Sequence, residues 1–418
     1  MEKTVLCKWT DENMEDRISQ LPDEILSSIL SFLTLKQACT TSVLSHRWKH
    51  LWQFFTGSLN FDYNPEQKWE LERNKIVKRV NHILQLHRGS TIDEFKLCFK
   101  LDEHSINHID GWIDFAISKR VKKLELNFSK SPWHYTLTHD RFTTLMSLTL
   151  MCLHVNGEIL EQILSNCPLL ERLHFDGCRE LVNLKVCGSS LKLNYLHIFC
   201  CLELETIEIF APNLGYFCYV GPKMELHLNH APFLLNVHIG GMHLDPVDYV
   251  CPLSSYLYQL ESLILDIIFY KENLEFPKFQ MLNNLRHLKC KVDAYDGTSL
   301  VGLIPLIEAA PFLHKFTLEM LWHDPLIERE LRKVMSYPNE HLKEVEIVGF
   351  VGRAIDIELV VYLLESAIKL EKIVINPRDL HIVGTPWETE EFEINRGARE
   401  CAKQLTENLP PGAELVIL

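Results

Sequence analysis

The sequence predicts an α/β solenoid, with a small all-α module of three helices ahead of an irregular repeat array and an α/β cap behind it. Three observations predict this. A short apolar phrase returns through the middle of the chain about every twenty residues. Leu21 to Trp52 is crowded with large apolar side chains at helical spacing. From Asn339 onward the pattern changes to strand, turn, apolar-rich helix and strand.

The first module reads LPDEILSSILSFLTLKQACTTSVLSHRWKHLW. Leu21, Ile25, Leu26, Ile29, Leu30 and Leu33 recur at the spacing that aligns side chains along one side of a helix. Pro22 suits its first turn, where the missing N–H has no partner to lose. Thr34 with Gln37 forms a capping-box pattern opening a second helix, Leu35 to about Ser42. Ser45 is placed to cap a third, with Trp48, Leu51 and Trp52 on one flank. Three short helices totalling roughly 40 residues cannot bury so much apolar surface among themselves. Spacing leaves two readings open: a helical cap sealing a larger domain, or a docking module for another protein.

LPDEIL, VLSHRW and the closing HLW resemble an F-box in order and separation. The resemblance implies docking on a Skp-type adaptor and through it on a cullin ubiquitin ligase. It implies an adaptor-binding set of Leu21, Pro22, Ile25, Leu26, Ile29, Val43, Leu44, Ser45, Arg47, Trp48, Leu51 and Trp52. Spacing does not separate those that face an adaptor from those packed on one another.

The 418 residues allow two or three domains or one long array, and 47% hydrophobic with 23% charged residues is an ordinary globular composition. A formal charge of −14 without a clustered basic run argues against a general nucleic-acid or anionic-membrane binder. MEKTVLCKWTDENMED has no apolar core of a secretory signal, and no stretch approaches the roughly 20 apolar residues of a membrane span. A cytoplasmic or nuclear location is therefore expected. The 13 cysteines are an odd count without C-x-x-C pairs, and read as reduced, buried small hydrophobes. With no zinc-finger ligand spacing among them and the 20 histidines, no metal or other cofactor is expected.

Along the chain, residues 1–14 are expected as a flexible N-terminus, 15–61 as the helical module and 62–91 as a helical linker with Ile76, Val80, Ile83, Leu84 and Leu86 on its apolar side. SLNFDYNPEQKW ends in turn residues and is expected to close the module. IDEFKLCFKL alternates as a strand, and HIDGWIDFAISKR then VKKLELNF reads as helix and strand, with Trp112, Phe115 and Ala116 inward. The repeating phrase follows as LMSLTL (145–150), LLERLHF (169–175), LNYLHI (193–198), LGYFCYV (214–220) and LLNVHI (234–239). It continues as LESLIL (260–265), LRHLKC (285–290), FLHKFTL (312–318), LKEVEI (342–347) and LEKIVI (370–375). Leu173, Leu196, Phe217 and Val237 lie 23, 21 and 20 residues apart, the period of a leucine-rich repeat, and the array is assigned to 92–338.

Half a period out of step sit LVNLKV (181–186), LETIEI (204–209) and MELHL (224–228). A strand every 10–12 residues leaves no room for an outer helix, so short strands are expected on both faces in the middle. Helices are expected around 106–119 and 157–166, the latter ended by Pro168. Cys167-Pro168, Ala211-Pro212, Ala231-Pro232 and Ala310-Pro311 punctuate the turns into strands.

Residues 339–418 give a strand at 342–348, a Gly-marked turn, a helix at about 356–368, a strand at 371–375, a helix near Glu393–Leu405 and a last strand ELVIL after Pro410-Pro411-Gly412. The GF-x-G turn, E-L-V-x-Y-L-L-E and LEKIVINP resemble the FBD segment of plant F-box/leucine-rich-repeat proteins. Physically this end is expected to cap the solenoid's open edge.

Catalytic constellations are weak. G-x-S-x-G, phosphate-binding loops and H-E-x-x-H are absent from the sequence. His323-Asp324 and His139-Asp140 are sequence neighbours, which suits solvated loop pairs better than a base with its orienter. The charged runs LERNKIVKR (71–79) and PWETEEFE (386–393) read as solvated faces, the second also as a strip for a basic segment. The expectation is a non-enzymatic adaptor: the substrate-recognition subunit of an SCF-type ubiquitin ligase, with an unknown target protein on the repeats. The alternatives are a leucine-rich-repeat scaffold without ligase role and, less supported, a small-molecule receptor.

Overall fold

The computed structural model describes residues 18, 20–62, 69–98, 100, 105–131, 134–241, 251–268, 281–294, 299–322, 330–332, 334–378 and 391–418. The expected N-terminal lead-in with Cys7, the His323-Asp324 pair and residues 386–390 of the acidic run lie outside them. The chain forms two compact units, one made of residues 1–133 and 142–145, the other of 134–141 and 146–418.

The first unit begins with helices α1 (Asp23–Ser31) and α2 (Leu35–Thr40), a 3-10 turn (Thr41–Val43) and α3 (Trp48–Leu51). The capping box is present: the Thr34 hydroxyl accepts from Gln37 N–H at 3.3 Å while Gln37 Oε1 accepts from Thr34 N–H at 2.9 Å. Ser45 Oγ accepts from Trp48 N–H at 3.4 Å. SLNFD, expected only to close the module, forms a strand, β1 (Ser58–Asp62), whose Leu59 and Phe61 alternate inward. It pairs in parallel with β2 (Glu94–Cys98), which pairs with β3 (Lys123–Asn127). Parallel strands need a crossover. Helix α4 (Trp69–Leu86), expected as a linker, is that crossover between β1 and β2, and α5 (Ile106–Ser118) is the next. Trp112 Nε1 on α5 donates to Asn81 Oδ1 on α4 at 2.7 Å.

The helical module is bonded directly to this first repeat. His87 Nε2 donates to the Phe55 carbonyl at 2.7 Å, and the Arg88 and Gly89 N–H groups both donate to the Gln53 carbonyl, at 2.6 and 3.1 Å. The Asp93 N–H donates to the Thr56 carbonyl at 2.8 Å. Burial lowers the His87 pKa.

In the second unit the strands are β4 (Ser147–Met151), β5 (Arg172–Asp176), β6 (Asn183–Cys187), β7 (Tyr195–Phe199), β8 (Thr206–Phe210) and β9 (Tyr216–Val220). They continue as β10 (Glu225–His230), β11 (Asn236–Gly241), β12 (Ser262–Ile268), β13 (His287–Ala294), β14 (Lys315–Trp322), β15 (Glu344–Val348), β16 (Lys372–Asn376) and β17 (Glu414–Ile417). All ten repeated phrases form strands of one parallel sheet, in the order β4-β5-β7-β9-β11-β12-β13-β14-β15-β16, and β17 follows β16. The out-of-step phrases form a second parallel sheet, β10-β8-β6. Successive side chains of a strand point to opposite faces. Leu173, Phe175, Leu196, Ile198, Phe217 and Tyr219 are buried on the main sheet, as are Leu184, Val186, Ile207 and Ile209 on the second.

The small-Pro pairs each open a turn with proline in its second position. The Leu170, Leu214, Leu234 and Leu313 N–H groups donate to the carbonyls of Cys167, Ala211, Ala231 and Ala310 at 3.0 to 3.1 Å. The closing leucines are buried, so every turn delivers an apolar side chain to the interior before the strand starts. Where the second sheet is absent, α6 (Gly157–Asn166) and α7 (Ile304–Glu308) occupy the connections. Buried Leu153, Cys178 and Cys201 each stand two residues beyond β4, β5 and β7, so these cysteines serve as small apolar rungs.

At the C-terminal end α8 (Ala354–Ser366) connects β15 to β16, and α9 (Glu391–Gln404) precedes β17, which pairs with β16. The α8 start is set by Asp356. Its carboxylate accepts from the Val351, Gly352 and Arg353 N–H groups at 2.7, 3.0 and 2.8 Å, so Asp356 lies inside the first turn rather than opening it.

Candidate docking surface

In the helical module, burial divides the apolar residues into two sets. Leu26, Leu30, Ala38, Trp48, Leu51 and Phe55 are buried. Ile25 and Ile29 of α1 and Phe32 just after it recur four and three residues apart on the face next to that of Leu26 and Leu30 and are exposed, Phe32 by 89%. Val43 and Leu44, in and after the 3-10 turn, are exposed by 85% and 65%. Of the expected docking residues, then, Leu26, Trp48 and Leu51 belong to the interior of the module, with Trp48 only 5% exposed. The physical reason is the helical period: Leu26 and Leu30 share one face of α1, and that face is the one covered. Pro22 is exposed, while Leu21, Ser45 and Trp52 are half-buried.

Arg47 ties the ends of this module together. Its Nη2 donates to the Leu21 carbonyl at 2.5 Å and to Asp23 Oδ1 at 2.6 Å, and its Nε donates to the same oxygen at 2.9 Å. The guanidinium fork thus holds the Leu21-Pro22 entry to the helix that carries Trp48. Sequence reasoning grouped Arg47 by motif without this role and left out Phe32, although 25, 29 and 32 follow the same helical spacing.

The open face of the main sheet carries the residues that alternate with the core. In the middle they are aromatic and imidazole rings. Tyr195 and Tyr216 stack at 4.6 Å with 5° between planes, and the Arg172 guanidinium lies 3.9 Å from the Tyr195 ring. His174 and His197 rings are 4.3 Å apart. Burial, with the neighbouring His174, His238 and Lys291, lowers the His197 pKa to about 4. Toward β15 the same face becomes a paired charge ladder, with Lys289–Glu319 at 2.6 Å and Lys315 at 3.5 and 3.4 Å from Glu344 and Glu346.

This face offers aromatic, imidazole and charged groups suited to binding. Burial raises the pKa of Cys39, Cys98, Cys152, Cys187, Cys200, Cys290 and Cys401, and pushes Cys218 up to about 12. A thioester-forming cysteine needs the opposite shift. The expected His139-Asp140 pair lies in a loop, where His139 Nδ1 is 3.4 Å from the Tyr135 hydroxyl. Among the described residues no helix is long and apolar enough to cross a membrane.

Comparison with known proteins agrees with both halves of this description. Residues 18–55 match the F-box domain, and residues 126–407 match the At1g61320/AtMIF1 leucine-rich-repeat domain. F-box/LRR-repeat protein 13 of Arabidopsis thaliana is 26% identical over 431 residues, covering 89% of this chain and 91% of that one. Putative FBD-associated F-box protein At5g38570 of the same plant is 26% identical over 369 residues, covering 85% and 89%. Putative F-box/LRR-repeat protein At3g18150, also of Arabidopsis, is 33% identical over 223 residues, and the match spans 46% of its length. F-box domains imply binding to a Skp1-type adaptor, and F-box/leucine-rich-repeat proteins are typically non-catalytic adaptors. The chain belongs to the At1g61320/AtMIF1 leucine-rich-repeat family and carries an F-box ahead of its repeats.

Proposed function

We propose that this chain is the substrate-recognition subunit of an SCF-type ubiquitin ligase, acting in the cytoplasm or nucleus. The F-box docks on a Skp-type adaptor, and the repeat array holds a target protein. The observation that carries the reading is the exposure of Ile25, Ile29, Phe32, Val43 and Leu44 on a module whose own interior is already filled. Large apolar side chains left in water on a unit this small mark a surface that another protein covers. Leu21 and Pro22, held by Arg47, complete the contact, while Leu26, Trp48 and Leu51 support it from within.

Ubiquitin transfer is then a matter of proximity. The assembly raises the concentration of target lysines near a charged conjugating enzyme, and this chain moves no proton and supplies no nucleophile. The bonds from His87, Arg88, Gly89 and Asp93 to the carbonyls of Gln53, Phe55 and Thr56 favour this role, because they join the docking module directly to the first repeat.

The test is co-purification of the full chain with a co-expressed Skp-type adaptor. Wild type is expected to bring the adaptor down, and Val43→Asp/Leu44→Asp to lose it with an unchanged circular dichroism spectrum. Failure of the wild-type chain to bind any Skp-type adaptor would leave the leucine-rich-repeat scaffold without ligase role.

A further inference from the structure

The main sheet ends, on the side where its strands finish, in a groove of about 710 Å³. It runs from Phe199 at the end of β7 to Val348 at the end of β15. Seven neighbouring strands contribute, so at the usual interstrand spacing it is on the order of 29 Å long. That elongated shape suits an extended chain segment better than a compact molecule.

Its walls are apolar, with Leu202, Val220, Pro222, Val292 and Met320 among them. Leu202 is 71% exposed, a large apolar side chain left in water at the groove's edge. Gly240, which faces Asp266 across β11 and β12, allows the close approach of Asp266. A Cβ there would stand 2.5 Å from the Asp266 Cβ and 2.3 Å from its carbonyl oxygen, so no larger residue lets Asp266 take this position. The sequence signal was available: glycine inside a strand marks a close approach, and Gly240-Gly241 ends the LLNVHI strand.

Asp266, Asp293, Glu319 and Lys291 line the groove, and Lys289 pairs with Glu319 at 2.6 Å, so these side chains number three carboxylates against two ammonium groups. Asp266 Oδ1 is buried 3.0 Å from His238 Nε2 and 3.5 Å from Lys291 Nζ, near both but without hydrogen-bond geometry to either. A carboxylate has about four acceptor sites, and both neighbours approach one oxygen. Carboxylates beside apolar walls, partly shielded from water, favour a cation next to an apolar group.

We propose that this groove is the target-binding site, and that it receives an extended segment of a partner protein in which bulky apolar side chains adjoin a Lys or Arg. The apolar side chains fill the space along Val220, Val292 and Met320, and the cation lies beside Asp266. This deepens the reading of the array as a target holder and rests on it.

The test uses the full chain co-purified with its adaptor and a phage-displayed library of random short peptides. Selection on wild type, with counter-selection on Val220→Trp, which fills the groove from its open side, is expected to enrich sequences with apolar residues next to Lys or Arg. Synthetic versions of these are expected to bind about tenfold more weakly when the basic residue is replaced by Glu. Asp266→Asn is expected to shrink that ratio while apolar-only peptides bind as before. Enriched peptides that are acidic or polar, or that bind Val220→Trp as well as wild type, overturn the proposal, as does a library with no enrichment. Adaptor retention, read on the same preparations, separates this outcome from failure of the F-box reading. A melting temperature for each variant shows that it is folded.

Discussion

The Arg47 guanidinium bridges the Leu21 carbonyl and the Asp23 carboxylate across 26 and 24 residues of sequence. A single side chain therefore sets where the Leu21-Pro22 entry lies relative to α3. The ion pair itself is exposed, and such pairs contribute about 1 kcal/mol or less to stability. Its larger effect is positional. Arg47→Met is expected to weaken adaptor binding about tenfold with a small change in melting temperature, and Arg47→Lys to fall between, because a single ammonium cannot reproduce the fork. Titration calorimetry with the adaptor checks the order. Equal binding by all three proteins would remove Arg47 from the docking geometry.

Burial separates two kinds of F-box substitution. Trp48→Ala opens a hole in the module and is expected to cost about 3 to 5 kcal/mol of its local stability. Phe32→Asp removes an exposed side chain and is expected to leave stability within about 0.5 kcal/mol while weakening adaptor binding by about 2 kcal/mol. Hydrogen exchange of α1 to α3 reads the first quantity and calorimetry the second. Loss of protection in Phe32→Asp would show that its exposure does not reflect a free surface.

Asp356 makes the α8 end sensitive to pH. It is fully buried, and burial raises its pKa to about 6 against the pull of the backbone N–H groups of residues 351, 352, 353 and 356. A folded pKa above the unfolded value means that the folded chain holds this proton more tightly. The resulting stability is complete below about pH 4 and is lost as pH rises through 6, an effect of about 3 kcal/mol. Relative to Asp356→Asn, the wild-type chain is therefore expected to lose stability over that window in urea titrations. A pH-independent difference between the two would mean that the N–H donors cancel the effect of burial, and a wild-type chain that gains stability over that window would mean that they outweigh it.

His197 works in the opposite direction. Its folded pKa, lowered to about 4, lies below the ordinary histidine value. Its contribution to stability is present above about pH 6.5 and is lost as pH falls through 4. In proton-detected NMR its ring signals are expected to stay constant from pH 8 to about 5, while those of an exposed histidine shift. A midpoint near 6.5 would show that the imidazole row on the sheet is open to water.

The strand phrases were legible because they are local. Two apolar residues on either side of one polar position alternate in any strand, and a period near 20 residues places each strand beside the last. The out-of-step phrases were equally legible, since Leu184 and Ile207 repeat 23 residues apart with no room for a helix between strands. Strand β1 was not. SLNFD has the same alternation, but a single short stretch gains its strand identity only from pairing with Glu94–Cys98, which lies beyond an 18-residue helix.

What the sequence by itself determined was the repeat, the capping box at Thr34 and Gln37, the turns opened by proline, and the F-box motif. Each depends on residues within a few positions of one another. Only the tertiary structure decided which side of α1 is covered, leaving Phe32 in water and Trp48 inside, and which residues of the sheet's open face meet. His238, Asp266 and Lys291 come together because parallel register sets three separate strands side by side. An amphipathic pattern states that one face will be buried. The neighbours that bury it, and the side chains that adjacent strands bring into contact, follow only from how distant segments pack.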